Sequence, residues 1–159
     1  MSHAREIVGL LIILAVVFAA AAAGIPFVSA ATSTWYHDLF KPSWSPPNWL
    51  FGPVWTVLYL LMAVAAWMVW RTGGFVANRL SLSCFIVQLI LNAAWTPIFF
   101  GARLFGVAAI EIFLLFFSIL LCIILFRRVR PAAAWLLLPY LFWVGFASAL
   151  NLSIWWLNR

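Results

Sequence analysis

Charged residues fall at only a few places along the chain. Between them run five long apolar intervals: Ile7 to Val28, Pro42 to Trp70, Leu80 to Ala102, Leu104 to Phe126 and Pro131 to Asn158. Glu111 is the single charge inside any of them. A helix rises about 1.5 Å per residue, so about 20 apolar residues cross a hydrocarbon core of about 30 Å. Each interval reaches that length. The pattern predicts an all-α integral membrane protein, a bundle of five transmembrane helices forming one domain over residues 1–159. The spans are placed at approximately 6–28, 46–71, 79–101, 104–127 and 132–157. The small residues Ala19 to Ala23 resemble a signal-peptide cleavage site. The first interval is nevertheless longer than the apolar region of such peptides, so it is read as an uncleaved helix.

The connections differ in character. RTGGFVANR joins spans two and three, where Gly73 and Gly74 suit a helix end and a turn. GAR, residues 101–103, turns into span four, and RRVRP leads to span five with Pro131 at its first turn. Loop 1 is longer, from Ser29 to Ser45, against the 2–8 residues usual between helices. Its segment TSTWYHDLF is expected to form a short interfacial helix, with Trp35 near Leu39 and Tyr36 near Phe40. Such a loop acts either as a lid or as an aromatic anchor at headgroup level. Span two is expected to begin with Ser45 as N-cap and Pro46 at the first helical position. Pro53, Pro97 and Pro139 lie inside spans. Each removes one backbone hydrogen bond and bends its helix, freeing the carbonyls of Trp49, Ala93 and Trp135. A bundle so bent opens toward one end and makes room for a ligand.

Composition sharpens the class. The 159 residues are 68% hydrophobic and 8% charged, where a soluble domain is about a quarter charged. The net charge of +6 does not indicate nucleic acid, because the bases sit at the ends of the spans. Arg5, Arg71, Arg79, Arg127, Arg128 and Arg130 share one side of the membrane, and Lys41, Arg103 and Arg159 the other. The positive-inside rule then predicts a cytoplasmic N-terminus and an external C-terminus. The cluster from Arg127 to Arg130 is also placed to meet anionic lipid heads.

Candidate chemistry is sparse. His3 and His37 stand alone, and no phosphate-binding glycine loop or nucleophile–base motif is present, so no metal or cofactor is implied. Cys84 and Cys122 lie inside apolar spans and read as small core residues. Glu111 follows Arg103 by eight residues, which places it about 12 Å into its span. A carboxylate there costs about 2–3 kcal/mol on insertion scales, so it should face the bundle interior. The reading is a hydrogen bond to another helix, with proton coupling in a small transporter as the functional alternative.

Polar and aromatic residues recur on single faces. Gln88, Asn92 and Trp95 share one face of span three. Trp143, Ala147 and Asn151 share one face of span five, with Phe146 and Leu150 beside them. Span two offers Trp55, Tyr59 and Met62. Indole rings supply flat apolar area with one donor each, and an amide both donates and accepts. Together these residues either line a pocket for a flat apolar ligand carrying a few acceptors, or tie helices together. Small residues at four-residue spacing, Ala15, Ala19 and Ala23 and then Gly145, Ala149 and Ser153, read as helix contacts.

The stretches KPSWSPPNWLFGPVWTVLY, LNAAWTPIFFGAR and PYLFWVGFASALNLSIW, in that order on five spans, carry a resemblance. The chain resembles the translocator protein family, also called tryptophan-rich sensory proteins or peripheral-type benzodiazepine receptors, from about residue 7 to residue 157. The resemblance implies a five-helix receptor or carrier, often a homodimer. Its ligands are tetrapyrroles such as protoporphyrin or haem, sterols and synthetic isoquinoline-type compounds, bound under the long first loop. It implies no required cofactor, a porphyrin or haem being the ligand. By motif, Trp55, Asn92 and Trp143 match pocket residues, and Ala147 matches the small residue packed beside the pocket. With the neighbouring residues of those faces, the candidate ligand contacts are Trp55, Tyr59, Asn92, Trp95, Trp143, Phe146, Ala147 and Leu150. The resemblance also implicates Trp55 and Trp143 in light-dependent porphyrin breakdown, an enzymatic alternative to the receptor. The sterol motif of animal relatives requires a tyrosine where LNLSIWWLNR has Leu152, so sterol recognition through that motif is not implied. The expected location is a bacterial cell membrane, or a mitochondrial outer membrane in a eukaryote.

Overall fold

The structure, a computed structural model, describes residues 3–159. Helix α1 runs His3–Thr32, α2 Asn48–Trp70, α4 Arg79–Thr96, α5 Phe105–Val129 and α6 Pro131–Leu157, and the single turn α3 covers Gly74–Ala77. The five long helices are each apolar and long enough to cross a membrane. Polarity is inverted relative to a soluble protein. Ile90, Ile110 and Phe142 are 62%, 66% and 72% exposed, whereas Gln88, Asn92 and Asn151 are 1%, 4% and 1% exposed. Such a surface is stable only against lipid, and the interior holds the polar groups that lipid would not solvate.

Local sequence explains where the helices begin and end, and it corrects two expectations. Span one extends to Thr32 and carries Pro26 within it. The hydroxyls of Thr32, Ser33 and Thr34 donate back to the carbonyls of Val28, Ala30 and Ala30 at 2.8, 3.1 and 2.7 Å. They end α1 rather than cap a new helix, and loop 1 continues as a series of turns instead of the expected interfacial helix. Ser45 is not an N-cap: its N–H donates to Pro42 O at 2.9 Å within a turn. A residue preceding proline is held out of the helical region. Ser45 and Pro46 both precede prolines, so α2 can start only after Pro47, which is itself extended at φ −65° and ψ 144°.

Pro97 has the predicted effect in a specific form. Without its N–H the helical register slips by one residue, and Pro97–Gly101 form a π turn closed by Ala102 N–H to Pro97 O at 2.8 Å. Gly74 takes φ +73° where α2 hands over to α3, a conformation glycine adopts without steric cost. The side-chain amide of Asn78 closes that turn, donating to Val69 O at 3.1 Å and Gly74 O at 3.2 Å.

The two ends of the bundle are built differently. At the end with the N-terminus, Met62, Ala63, Ala65, Ala66, Val69, Cys122, Phe126 and Ala133 pack into a solid core. Gly9 lets α1 approach α2 closely, since a Cβ there would collide with the Trp70 ring. Glu6 and Arg71 pair at 3.0 Å, and Trp67 Nε1 donates to Glu6 O at 2.9 Å. At the other end α1, α2 and span three carry Pro26, Pro53 and Pro97, and a cavity opens among these helices.

Candidate functional site: an aromatic cavity under loop 1

The cavity encloses about 300 Å³, the lower end of the range for small-molecule pockets. Each wall follows from a helix already described. The stretch of α1 around Pro26 contributes Gly24, Ile25 and Val28, and α2 contributes Phe51, Gly52, Trp55 and Tyr59. Span three adds Asn92, Trp95, Thr96, Phe99 and Phe100, and α5 closes the floor with Ile112 and Leu115. From α6 come Trp143, Ala147, Leu150 and Asn151. A Cβ built on Gly52 meets nothing within 4 Å, so this glycine borders open space.

Of the residues singled out in the sequence, Trp55, Tyr59, Asn92, Trp95, Trp143, Ala147 and Leu150 come together on this cavity. Phe146 does not. It lies on the outer side of α6, where its ring meets Trp44 at 5.7 Å and Trp143 at 5.5 Å. One step of about 100° round the helix separates neighbouring residues, so residue 146 turns away when 143 and 147 face in. Met62 is fully buried in the solid half of the bundle, and Gln88 is buried outside the cavity lining. Thr96, Phe99 and Phe100 line the cavity although their positions carried no distinguishing signal, and Tyr36 reaches it from loop 1. The bend after Thr96 is what turns both phenylalanines inward.

Two polar chains hold the walls. Tyr59 donates its hydroxyl to Asn92 Oδ1 at 2.6 Å, and Asn92 Nδ2 donates to the Tyr140 hydroxyl at 2.9 Å, joining α2, α4 and α6. Trp95 Nε1 donates to Asn151 Oδ1 at 3.1 Å, and Asn151 Nδ2 donates to Phe105 O at 2.9 Å. The second chain ties span three and α6 to the first turn of α5. An amide is suited to both places because it donates and accepts at once. Among the described residues, Trp143 Nε1 is buried at the cavity wall with no hydrogen-bond partner. Trp55 stacks obliquely on Tyr59 at 5.5 Å and meets Tyr140 edge-on at 6.2 Å. The result is an apolar slot with indole faces and a phenol–amide pair.

Loop 1 covers the cavity and is tied down at several points. Tyr36 reaches the lining, and burial pushes its phenol above the usual range, so it stays neutral. The ammonium of Lys41 lies 4.2 Å above the Tyr36 ring. Arg103 adopts a left-handed φ of 57° and sets its guanidinium 4.7 Å over Trp35. Asn158, at the end of α6, clasps the backbone of Phe40 from both sides. Phe40 N–H donates to Asn158 Oδ1 at 3.0 Å, and Asn158 Nδ2 donates to Phe40 O at 2.8 Å.

Glu111 faces the bundle interior at 8% exposure, as its cost in lipid predicts. The expected hydrogen bond to another helix is not made, because both carboxyl oxygens lack a partner among the described residues. Glu111 also does not line the cavity.

A five-helix membrane bundle with a lidded aromatic cavity defines the class. Residues 11–157 match the TspO/MBR family model, and the chain belongs to that family. It is 42% identical over 134 residues to the translocator protein of Homo sapiens, covering 83% of this chain and 79% of that one. It is 40% identical over 156 residues to the tryptophan-rich protein TspO of Chlorobaculum tepidum, covering 97% and 98%. With the TspO protein of Archaeoglobus fulgidus the identity is 37% over 158 residues, covering 99% of each. The chain is an integral, multi-pass membrane protein. Family membership supports a role as a membrane receptor or sensor.

Proposed function

We propose that this chain is a membrane receptor or carrier for flat, apolar, aromatic ligands of the tetrapyrrole class. The carrying observation is that Trp55, Trp95 and Trp143 from three helices surround one enclosed space beside the Tyr59–Asn92 pair. Indole faces favour stacking with a planar ring system, and the pair offers a donor and an acceptor to polar substituents at its edge. A macrocycle is larger than the enclosed volume, so binding displaces part of the wall. Sterols, the other apolar class implied by the family resemblance, would have to use this same cavity, since Leu152 replaces the motif tyrosine.

Titration of the protein in lipid nanodiscs with protoporphyrin IX tests this reading. Saturable quenching of tryptophan fluorescence is expected, with affinity falling about tenfold in Trp55→Leu, as loss of one buried aromatic contact implies. Non-saturable quenching, or identical affinity in that variant, rejects the site. The placement of both Trp55 and Trp143 on the cavity favours a second reading, light-dependent breakdown of the bound porphyrin. Illuminating the same samples separates it: a defined product absent from the double phenylalanine variant supports breakdown, and ordinary bleaching rejects it. Two further parts of the proposal concern setting. A bacterial cell membrane is favoured by the near-complete match to Chlorobaculum, against 79% coverage of the human chain. A homodimer is favoured by α1, the least buried of the five spans, whose outer face is free to pack on a second copy.

A further inference from the structure

A second apolar hollow lies on the lipid-facing side of the bundle, between α2 and α6. It measures about 540 Å³ and is lined by Pro53, Val54, Val57, Pro139, Phe142, Trp143 and Phe146, with Leu58 at its base. The two interior prolines of these helices face the same groove. Proline bends its helix and cannot continue the hydrogen-bond ladder, so both walls of the groove are interrupted at a proline. Every lining residue is apolar, and the groove lies well inside the apolar spans, where lipid tails are the surrounding medium.

Trp143 is the one residue that borders both this groove and the cavity. On the α2–α6 side, the indole of Trp143 therefore stands between the ligand space and the hydrocarbon. That ring is held by apolar contact alone. Its Nε1 has no hydrogen-bond partner among the described residues, and its neighbours are Phe51 at 5.8 Å and Phe146 at 5.5 Å. Trp95, on the opposite wall, contrasts with it in being fixed to Asn151. Turning Trp143 thus breaks no hydrogen bond, and it joins the cavity to the groove. The aqueous face is better sealed. There Asn158 grips Phe40 by two hydrogen bonds, and Arg103 and Lys41 lie on the aromatic rings of loop 1.

We propose that the α2–α6 groove is a lateral portal through which the flat apolar ligand passes between the bilayer and the cavity, with Trp143 as its gate. The inference rests on the ligand reading given above. It also explains how a ligand larger than the cavity is admitted without dismantling the lid. A ligand of this kind partitions into the hydrocarbon before it meets the protein, so a route from the membrane draws on the richer reservoir.

Stopped-flow mixing of protoporphyrin-loaded phosphatidylcholine vesicles with protein in nanodiscs, read by porphyrin fluorescence, tests the portal. Val57 and Phe142 line the groove but not the cavity, and both are exposed to lipid. Narrowing the groove by Val57→Trp is expected to slow association and dissociation together by about tenfold at unchanged affinity, the signature of a gated path. Widening it by Phe142→Ala is expected to speed both. Asn158→Ala, which frees the lid, should leave both rates as they are. The portal is overturned if the two groove variants bind and release at wild-type rates, or if freeing the lid accelerates both steps. Failure of the wild type to bind saturably overturns the ligand reading itself, an outcome distinct from either.

Discussion

The two halves of the bundle share helices and composition yet differ in what fills them. Toward the N-terminal end Ala63, Ala65, Ala66 and Ala133 let the helices close on one another, and the space is full. Toward loop 1 α1, α2 and span three each carry a proline, a cavity lies between the helices, and hydrogen bonds replace close packing. In lipid no hydrophobic force drives helices together, so close contact between small residues and interhelical hydrogen bonds must hold them. This protein uses the first device where it needs a solid base and the second where it needs a hollow. A hollow can persist because Asn92 and Asn151 span the gap that side chains leave open.

The same enlargement made in each half should break the comparison most sharply. Ala66 is 1% exposed in the solid core, so Ala66→Phe is expected to destabilise by about 3 kcal/mol through overpacking. Ala147 borders the cavity, and Ala147→Phe should leave the thermal midpoint in detergent nearly unchanged while removing porphyrin binding. Equal losses of stability in the two variants would mean that the cavity is not open space. Next in size is Asn92→Leu, which strips partners from the Tyr59 and Tyr140 hydroxyls. A loss of about 1–2 kcal/mol is expected from interhelical hydrogen bonds of this kind. Its check is a double-mutant cycle with Tyr140→Phe, in which the two effects should be far from additive.

The five spans were legible because charge confinement and run length depend on the medium, not on tertiary detail. Trp55, Asn92 and Trp143 could be grouped because helical spacing puts each on an inward face. What the sequence concealed depends on where chains pass one another. Phe146 looked equivalent to Trp143 at a spacing of three, but only the path of α2 decides which of them meets the cavity. The slip after Pro97 could be anticipated as a bend, whereas the inward turn of Phe99 and Phe100 could not. The grip of Asn158 on Phe40 joins residues 118 apart, and no local pattern signals such a contact. Ser45 has a capping side chain, but the two consecutive prolines after it override that preference and delay the start of α2.

The smallest expected effect concerns the one ion pair among the described residues. Glu6 and Arg71 meet at 3.0 Å where α1 and α2 leave the membrane, with side chains 19% and 39% exposed. If the solid half is held by packing, Glu6→Gln should change stability by less than about 0.5 kcal/mol, since exposed pairs are weak and screened. The contacts that remain explain why. Trp67 Nε1 donates to the backbone carbonyl of Glu6, which the substitution does not touch, and Arg71 still lies 4.5 Å over the Trp67 ring. Thermal unfolding of the two proteins at low and at high salt supplies the measurement. A large, salt-sensitive loss would place charge rather than small-residue packing in control of this end, and the contrast between the two halves would have to be redrawn.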